Sequence, residues 1–208
     1  MYTPPAFRED DREALCALMR AAPFASLVTA TADGMECTPL PLWLAPEEGP
    51  LGTLYGHVAR ANPHWRAEAV GETLAIFSGP DAYVSPGWYA TKQETGKVVP
   101  TWNYLTVHAR GPVEFFEDAD RLLDVVTRLT DAHETGRAAP WAVSDAPETF
   151  IRAQLRGIVG LRLPIARLEG KRKMSQNRSA TDREGVAAGL GESENPADRA
   201  AGRLVPLA

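Results

Sequence analysis

The chain has 208 residues, 44% hydrophobic and 24% charged, which predicts one globular domain with additions, able to bury a real core, and excludes a multidomain machine. Seventeen glycines and seventeen prolines exceed average usage and predict many turns and short strands rather than a helical bundle. The net charge of −5 repels a phosphate backbone, and any contact with nucleic acid must rest on a local patch.

In chain order, Asp10 with Glu13 three residues on predicts a capped helix whose apolar face is Ala14, Leu15, Leu18 and Met19, ended by Pro23. Residues 25–32 and 35–44 flank Asp33-Gly34, a hairpin signal because turn centres of this type need positive φ. Pro39 and Pro41 cannot donate ladder hydrogen bonds, so the second strand is expected at an edge or leaves the sheet at its end. Residues 51–58 read as a third strand. Asn62-Pro63 predicts a short helix to about Val70. Residues 73–78, 98–109 and 112–116 read as strands, and Asp118 predicts a cap for a helix to about His133, with Leu122, Val126 and Leu129 on its stripe. Ala146-Pro147 opens another helix. Residues 157–168 alternate as a last strand, residues 170–183 read as a polar, basic stretch before a helix over 182–190, and 191–208 read as a loosely held tail outside a domain of residues 1–190. The sum is a mainly β fold with peripheral helices, a small antiparallel barrel.

Residues 77–104 hold Phe77, Tyr83, Trp88, Tyr89, Trp102 and Tyr104, six of the sixteen aromatics, among Gly and Pro turns. That density suits a planar ligand or a subunit interface, with a hairpin folding its own aromatics onto the core as the plain alternative. The run from Gly56 to Trp65 leaves a strand and enters a helix start, where free N–H groups and the Arg60 fork suit an anion, although Asn62 would satisfy one of those groups itself. His57 and His64 lack the nearby Cys, Asp or Glu that would complete a metal set, so no metal is expected. No nucleophile motif is present. Lys171, Arg172, Lys173, Arg178 and Arg183 face one acid, Asp182, in residues 170–183; phosphate of a cofactor or of DNA is the obvious partner, and a solvated loop is the plain alternative. Cys16 and Cys37 form no disulfide framework, the N-terminus lacks a basic region followed by an apolar stretch, and no apolar run is long enough to span a bilayer. A cytoplasmic protein with no membrane role is expected.

Five blocks, Tyr2 to Phe7, Gly56 to Trp65, Tyr83 to Tyr89, Val99 to Tyr104 and Met174 to Arg178, occur in an order that resembles the PaiB family of FMN-binding negative transcriptional regulators, over nearly the whole chain up to about Leu190. The resemblance implies the antiparallel FMN-binding split-barrel fold, a homodimer, and FMN at the subunit interface. It implies that cofactor-binding positions fall on Thr38, Leu40 and Leu42 and on His57, Val58, Ala59, Arg60 and Asn62. The aromatic segment offers Trp88, Tyr89 and Trp102 to the flavin, and Lys92 or Lys173 could supply the charge that the segment 38–43 lacks. Two functions follow as expectations. One is a flavin-binding regulator that would contact DNA, if at all, through residues 170–183. The other is a split-barrel flavin-dependent oxidoreductase with no direct DNA role, since flavin carries its own redox chemistry and needs no catalytic triad. Haem binding through His57 or His108 has no specific support in the sequence.

Overall fold

The computed structural model describes residues 1–207. A short strand, β1 (Arg8–Glu9), precedes helix α1 (Arg12–Ala21). The helix lies where its apolar spacing places it, but the cap is one residue later than expected. Asp11 Oδ1 accepts the Glu13 N–H at 3.0 Å, and the Asp11 N–H itself goes to Glu9 Oε1. The hairpin forms from β2 (Phe24–Thr31) and β3 (Gly34–Pro41), paired antiparallel from Phe24–Pro41 to Thr31–Gly34. Its turn centre is Ala32-Asp33, and Gly34 opens the returning strand at φ +136°, so the glycine's freedom is used one position later than the Asp-Gly pair suggested. The Thr31 hydroxyl explains the shift: it donates to the Gly34 carbonyl at 3.0 Å and accepts the Asp33 N–H at 3.2 Å. Pro39 and Pro41 act as expected, for β3 stands at the end of its sheet. At Leu42, whose N–H turns to the Pro23 carbonyl, the chain leaves to begin β4 (Trp43–Ala45) in another sheet.

After β5 (Thr53–Ala59) the helix expected to reach Val70 is instead one 3-10 turn, Pro63–Arg66. The Val70 N–H is taken by the Ala30 carbonyl at 2.7 Å, which extends the chain where a helix would have coiled it. Next come β6 (Thr73–Val84), α2 (Thr91–Thr95), β7 (Thr101–Gly111), β8 (Glu114–Phe116), α3 (Ala119–Glu134) and α4 (Glu148–Leu155). Asp118 caps α3 as predicted, accepting the Arg121 N–H at 2.9 Å. The last strand of the sequence reading is two strands, β9 (Ile158–Pro164) and β10 (Arg167–Lys173). Between them the Ile165 N–H bonds to the Gly52 carbonyl and the Ala166 N–H to the Arg110 carbonyl, which breaks the ladder. Part of the supposed basic loop is thus strand. It leads to α5 (Ala180–Gly191), capped by Ser179, and α6 (Pro196–Gly202), capped by Asn195 with proline at its first position.

The chain divides into two compact units, one of Met1–Leu18, Ser78–Val107 and Glu169–Ala208, the other of Met19–Phe77 and His108–Leu168. In the first unit the strand order is β1-β10-β7-β6. Its core joins Ala82, Val84 and Tyr89 to Val186 and Leu190 of α5 and to Ala201 and Val205. Residues 196–205 therefore contribute to the core, unlike the loose tail expected there; Asn195 and Pro196 start a helix that lacks the length for a periodic signal. Trp88 lies against α5 at Gly185 and Gly189, where a Cβ would stand 2.0 Å from the Trp88 carbonyl and 2.4 Å from its ring. In the second unit the orders are β6-β2-β3 and β4-β5-β9-β8. Leu122, Val125 and Leu129 of α3 pack with Phe116 and Leu155, each such burial contributing roughly 1.5–3 kcal/mol.

Candidate functional site

In the second unit the segment from β5 into the 3-10 turn builds a closed polar chain. Asn62 Oδ1 accepts the His64 N–H at 2.9 Å, so its amide nitrogen is the end that donates to Thr38 Oγ1, at 3.1 Å. Thr38 Oγ1 in turn lies 2.9 Å from His64 Nδ1. On the other side of the ring, Nε2 lies 2.8 Å from Thr29 Oγ1, which lies 2.9 Å from Thr73 Oγ1, so both ring nitrogens have a hydroxyl partner that can donate or accept. His64 is fully buried, and burial holds its pKa below the ordinary histidine value, with the charge of Glu36 pulling the other way. Asn62 and Thr38, both offered by the sequence to a phosphate, thus serve to seat a neutral imidazole.

Arg60 is also engaged. Its guanidinium donates to the Arg156 carbonyl at 2.7 Å, to the Ile158 carbonyl at 3.3 Å and to Glu117, tying the end of β5 to the start of β9. The turn after it is a single 3-10 turn, so the free N–H groups of a full helix are not presented. Leu40, Leu42 and Val58 are core side chains, with Leu42 packed over Gly56, while Ala59 is exposed at the end of β5. His57 remains as a distinct feature: among the described residues its Nδ1 is buried without a hydrogen-bond partner, and burial lowers its pKa. A polar clamp that the sequence reading missed lies on the same unit. Glu48 accepts from Tyr55 at 2.7 Å and from Arg162 at 2.6 Å; burial pushes its pKa up, but Tyr55 and Arg162 outweigh it and hold the carboxyl below its usual range.

In the first unit the basic residues converge on aromatic rings. Lys171 is only 9% exposed; its ammonium lies 5.5 Å from the Tyr2 ring and 5.1 Å from the Tyr104 ring and donates to the Tyr2 carbonyl at 3.1 Å. Lys173 reaches Thr101 Oγ1 and the Trp102 carbonyl and lies 6.0 Å from the Phe7 ring. Burial, then the charges of Lys171 and Arg178, lower its pKa. The Arg178 guanidinium sits 4.7 Å over Tyr89, and Arg172 donates to the Leu204 carbonyl at 2.9 Å. Arg183 is half-buried. The turn leaving β10 holds Ser175 at φ +61°, its hydroxyl donating to Asn103 Oδ1 at 3.1 Å. Among the described residues the Asn103 amide nitrogen is buried without a partner.

The aromatics divide. Tyr89, and Trp88 against α5, belong to the core of the first unit. Tyr83 and Trp102 are 48% and 53% exposed and meet edge to face at 6.2 Å. Beside them lies a cavity of about 360 Å³ lined by Ser78, Gly79, Asp81, Trp102, Tyr104, Leu105 and Thr106. Lys92 is exposed on α2. Tyr2 and Phe7 were absent from the sequence-derived site because only pairing of β1 with β10, Arg8 opposite Lys171, brings the N-terminus to the lysines. Among the described residues no helix is long and apolar enough to cross a membrane.

A family model described as "Putative FMN-binding domain" matches residues 1–167. The chain is 32% identical over 197 residues to the protease synthase and sporulation protein PAI 2 of Bacillus subtilis, covering 94% of this chain and 92% of that protein. Among solved structures it resembles an FAD- and haem-binding protein of Mycobacterium smegmatis, with TM-score 0.59, 21% identity, and coverage of 88% of this chain and 80% of that one. It also resembles a flavocytochrome of Azotobacter vinelandii, with TM-score 0.57, 19% identity, and coverage of 80% and 69%. Those likenesses show the fold alone, a split-barrel arrangement built here from antiparallel sheets with helices.

Proposed function

Because the chain belongs to the PaiB family of FMN-binding proteins, we propose that it is a homodimeric flavoprotein regulator whose FMN lies where the Tyr83–Trp102 face of the first unit meets a second copy. The exposed edge-to-face pair of Tyr83 and Trp102 carries this reading. A monomer would leave that apolar surface in water, whereas a second copy or a planar ring would cover it. The residues fit FMN. Trp102 and Tyr104 supply ring faces, the cavity beside them supplies room, and Lys171 and Lys173 supply positive charge. FMN, when bound, supplies hydride and single-electron chemistry; the chain's residues have only to hold the ring, shield it from water and set the charge around it. Light scattering at micromolar concentration is expected to give a dimer, and Trp102→Asp to give a monomer. A monomeric wild type would contradict the interface.

The name of the Bacillus relative, which ties that protein to protease synthesis and sporulation, supports the regulatory role. The alternative, an FMN-dependent oxidoreductase with no direct DNA role, is favoured by one observation: none of the five basic residues of 170–183 is exposed. Lysines turned toward Tyr2, Tyr104 and Phe7 present little charge to a duplex, and phosphate contacts dominate DNA affinity. A gel shift on the promoter of its own operon at about 150 mM salt separates the two. Binding abolished by Lys171→Ala, Arg172→Ala and Lys173→Ala together, with the dimer intact, supports direct repression. No shift, with turnover of NADH or NADPH by the FMN-loaded protein, supports the oxidoreductase.

A further inference from the structure

We propose that Lys171 and Lys173 form a receiving site for a phosphate monoester on the Trp102–Tyr104 face of β7. The two lysines alternate along β10 and so share a face, and the aromatic contacts of Lys171 identify that face as the one carrying Tyr104. Among the described residues every hydrogen-bond partner of the two ammonium groups is neutral: the Tyr2 carbonyl for Lys171, Thr101 Oγ1 and the Trp102 carbonyl for Lys173. Among the described residues neither makes a salt bridge. An ammonium withdrawn from water without a counter-ion is costly, and two of them, two residues apart on one face of the strand and neither exposed, concentrate that cost in a chain whose net charge is −5. Arg178 adds a third positive charge near enough to bear on Lys173. A phosphate monoester dianion matches two ammonium groups in charge and offers the oxygen acceptors that their remaining N–H groups lack.

The neighbouring cavity gives the rest of such a ligand its place, because Trp102 and Tyr104 line it and Tyr104 also lies under Lys171. Asp81, on the cavity wall, repels a phosphate and so favours the orientation with the anion at the lysines and the organic part in the cavity. The phosphate could be that of FMN, in which case the site deepens the cofactor reading above and rests on it, or that of a separate phosphorylated ligand.

Titration calorimetry on the full chain with FMN, riboflavin and inorganic phosphate tests this, comparing wild type with Lys171→Met/Lys173→Met and with Lys171→Arg/Lys173→Arg. The methionines keep the apolar stems and remove the charges; the arginines restore charge and report on folding. If FMN is the source, wild type binds FMN at least tenfold more tightly than riboflavin, the methionine pair binds both alike, and the arginine pair recovers much of the preference. If the source is a separate ligand, FMN and riboflavin bind alike in wild type while inorganic phosphate binds wild type and not the methionine pair. Failure of both flavins to bind, with lysine-dependent phosphate binding retained, would overturn the FMN reading and leave this site standing. A methionine pair that keeps wild-type FMN preference and phosphate binding, or a wild type that shows neither, would overturn the site.

Discussion

Replacing His64 by leucine is expected to lower unfolding stability by about 2–4 kcal/mol, read as a fall in the urea midpoint at unchanged slope. The imidazole is the middle of a chain in which Asn62 gives to Thr38, Thr38 bonds to Nδ1, and Nε2 bonds to Thr29. Leucine fills much the same space but takes the ring partner from the half-buried Thr38 hydroxyl and from the buried Thr29 hydroxyl, and a buried polar group left unmade costs about 1–3 kcal/mol. The same substitution changes the pH response. Burial lowers the His64 pKa, so the unfolded chain binds a proton more readily than the folded one. The stability from the neutral ring is fully present above the ordinary histidine value and is lost as pH falls below it toward the folded value. His57, lowered for the same reason, adds to the slope, so His64→Leu should flatten the decline between about pH 7 and pH 5 without abolishing it. A His64→Leu chain as stable as wild type, with an identical pH profile, would show that the threonine chain contributes nothing.

The first unit is expected to be most sensitive at Gly185. A methyl group there would stand 2.0 Å from the Trp88 carbonyl oxygen, and because the obstruction is backbone, no side-chain rotation relieves it. Gly185→Ala should therefore lift the Trp88 segment off α5 and cost about 3 kcal/mol, the upper part of the range for overpacking. For a chain of this size that is a drop of roughly 6–12 °C in Tm. Tryptophan emission should shift to the red as Trp88 meets water. An unchanged Tm and unchanged emission would mean that α5 and the Trp88 segment do not pack as described.

What could be read beforehand follows local chemistry. The hairpin, the Asp118 cap, and the departure of β3 at Pro41 rest on turn residues, a capping side chain and missing proline N–H groups, all of which act within a few residues. The errors arose where distant partners decide. Nothing around Asn62-Pro63 reveals that Ala30 takes the Val70 N–H, so a helix was expected where one turn forms. Residues 170–173 look like a basic loop because their charge conceals an alternation that matters only once β10 pairs with β1. The same blindness affected the site. Arg60 and Asn62 suit an anion as residue types, yet their partners, Glu117, Ile158 and His64, come from other elements or lie across a turn. Tyr2 joins Lys171 across 169 residues of chain. Trp88 and Tyr89 stood out as aromatics in a loop, and two glycines in a helix nearly one hundred positions later give Trp88 a seat in the core.

The central claim, that this chain binds FMN, is tested most directly by visible absorbance of the purified protein, before and after FMN is added and the excess removed by gel filtration. Flavin bands that co-elute with the protein, close to one FMN per chain and shifted from the free-flavin spectrum, are predicted. Elution of all the FMN in the small-molecule fraction, with a colourless protein peak both before and after addition, would contradict it.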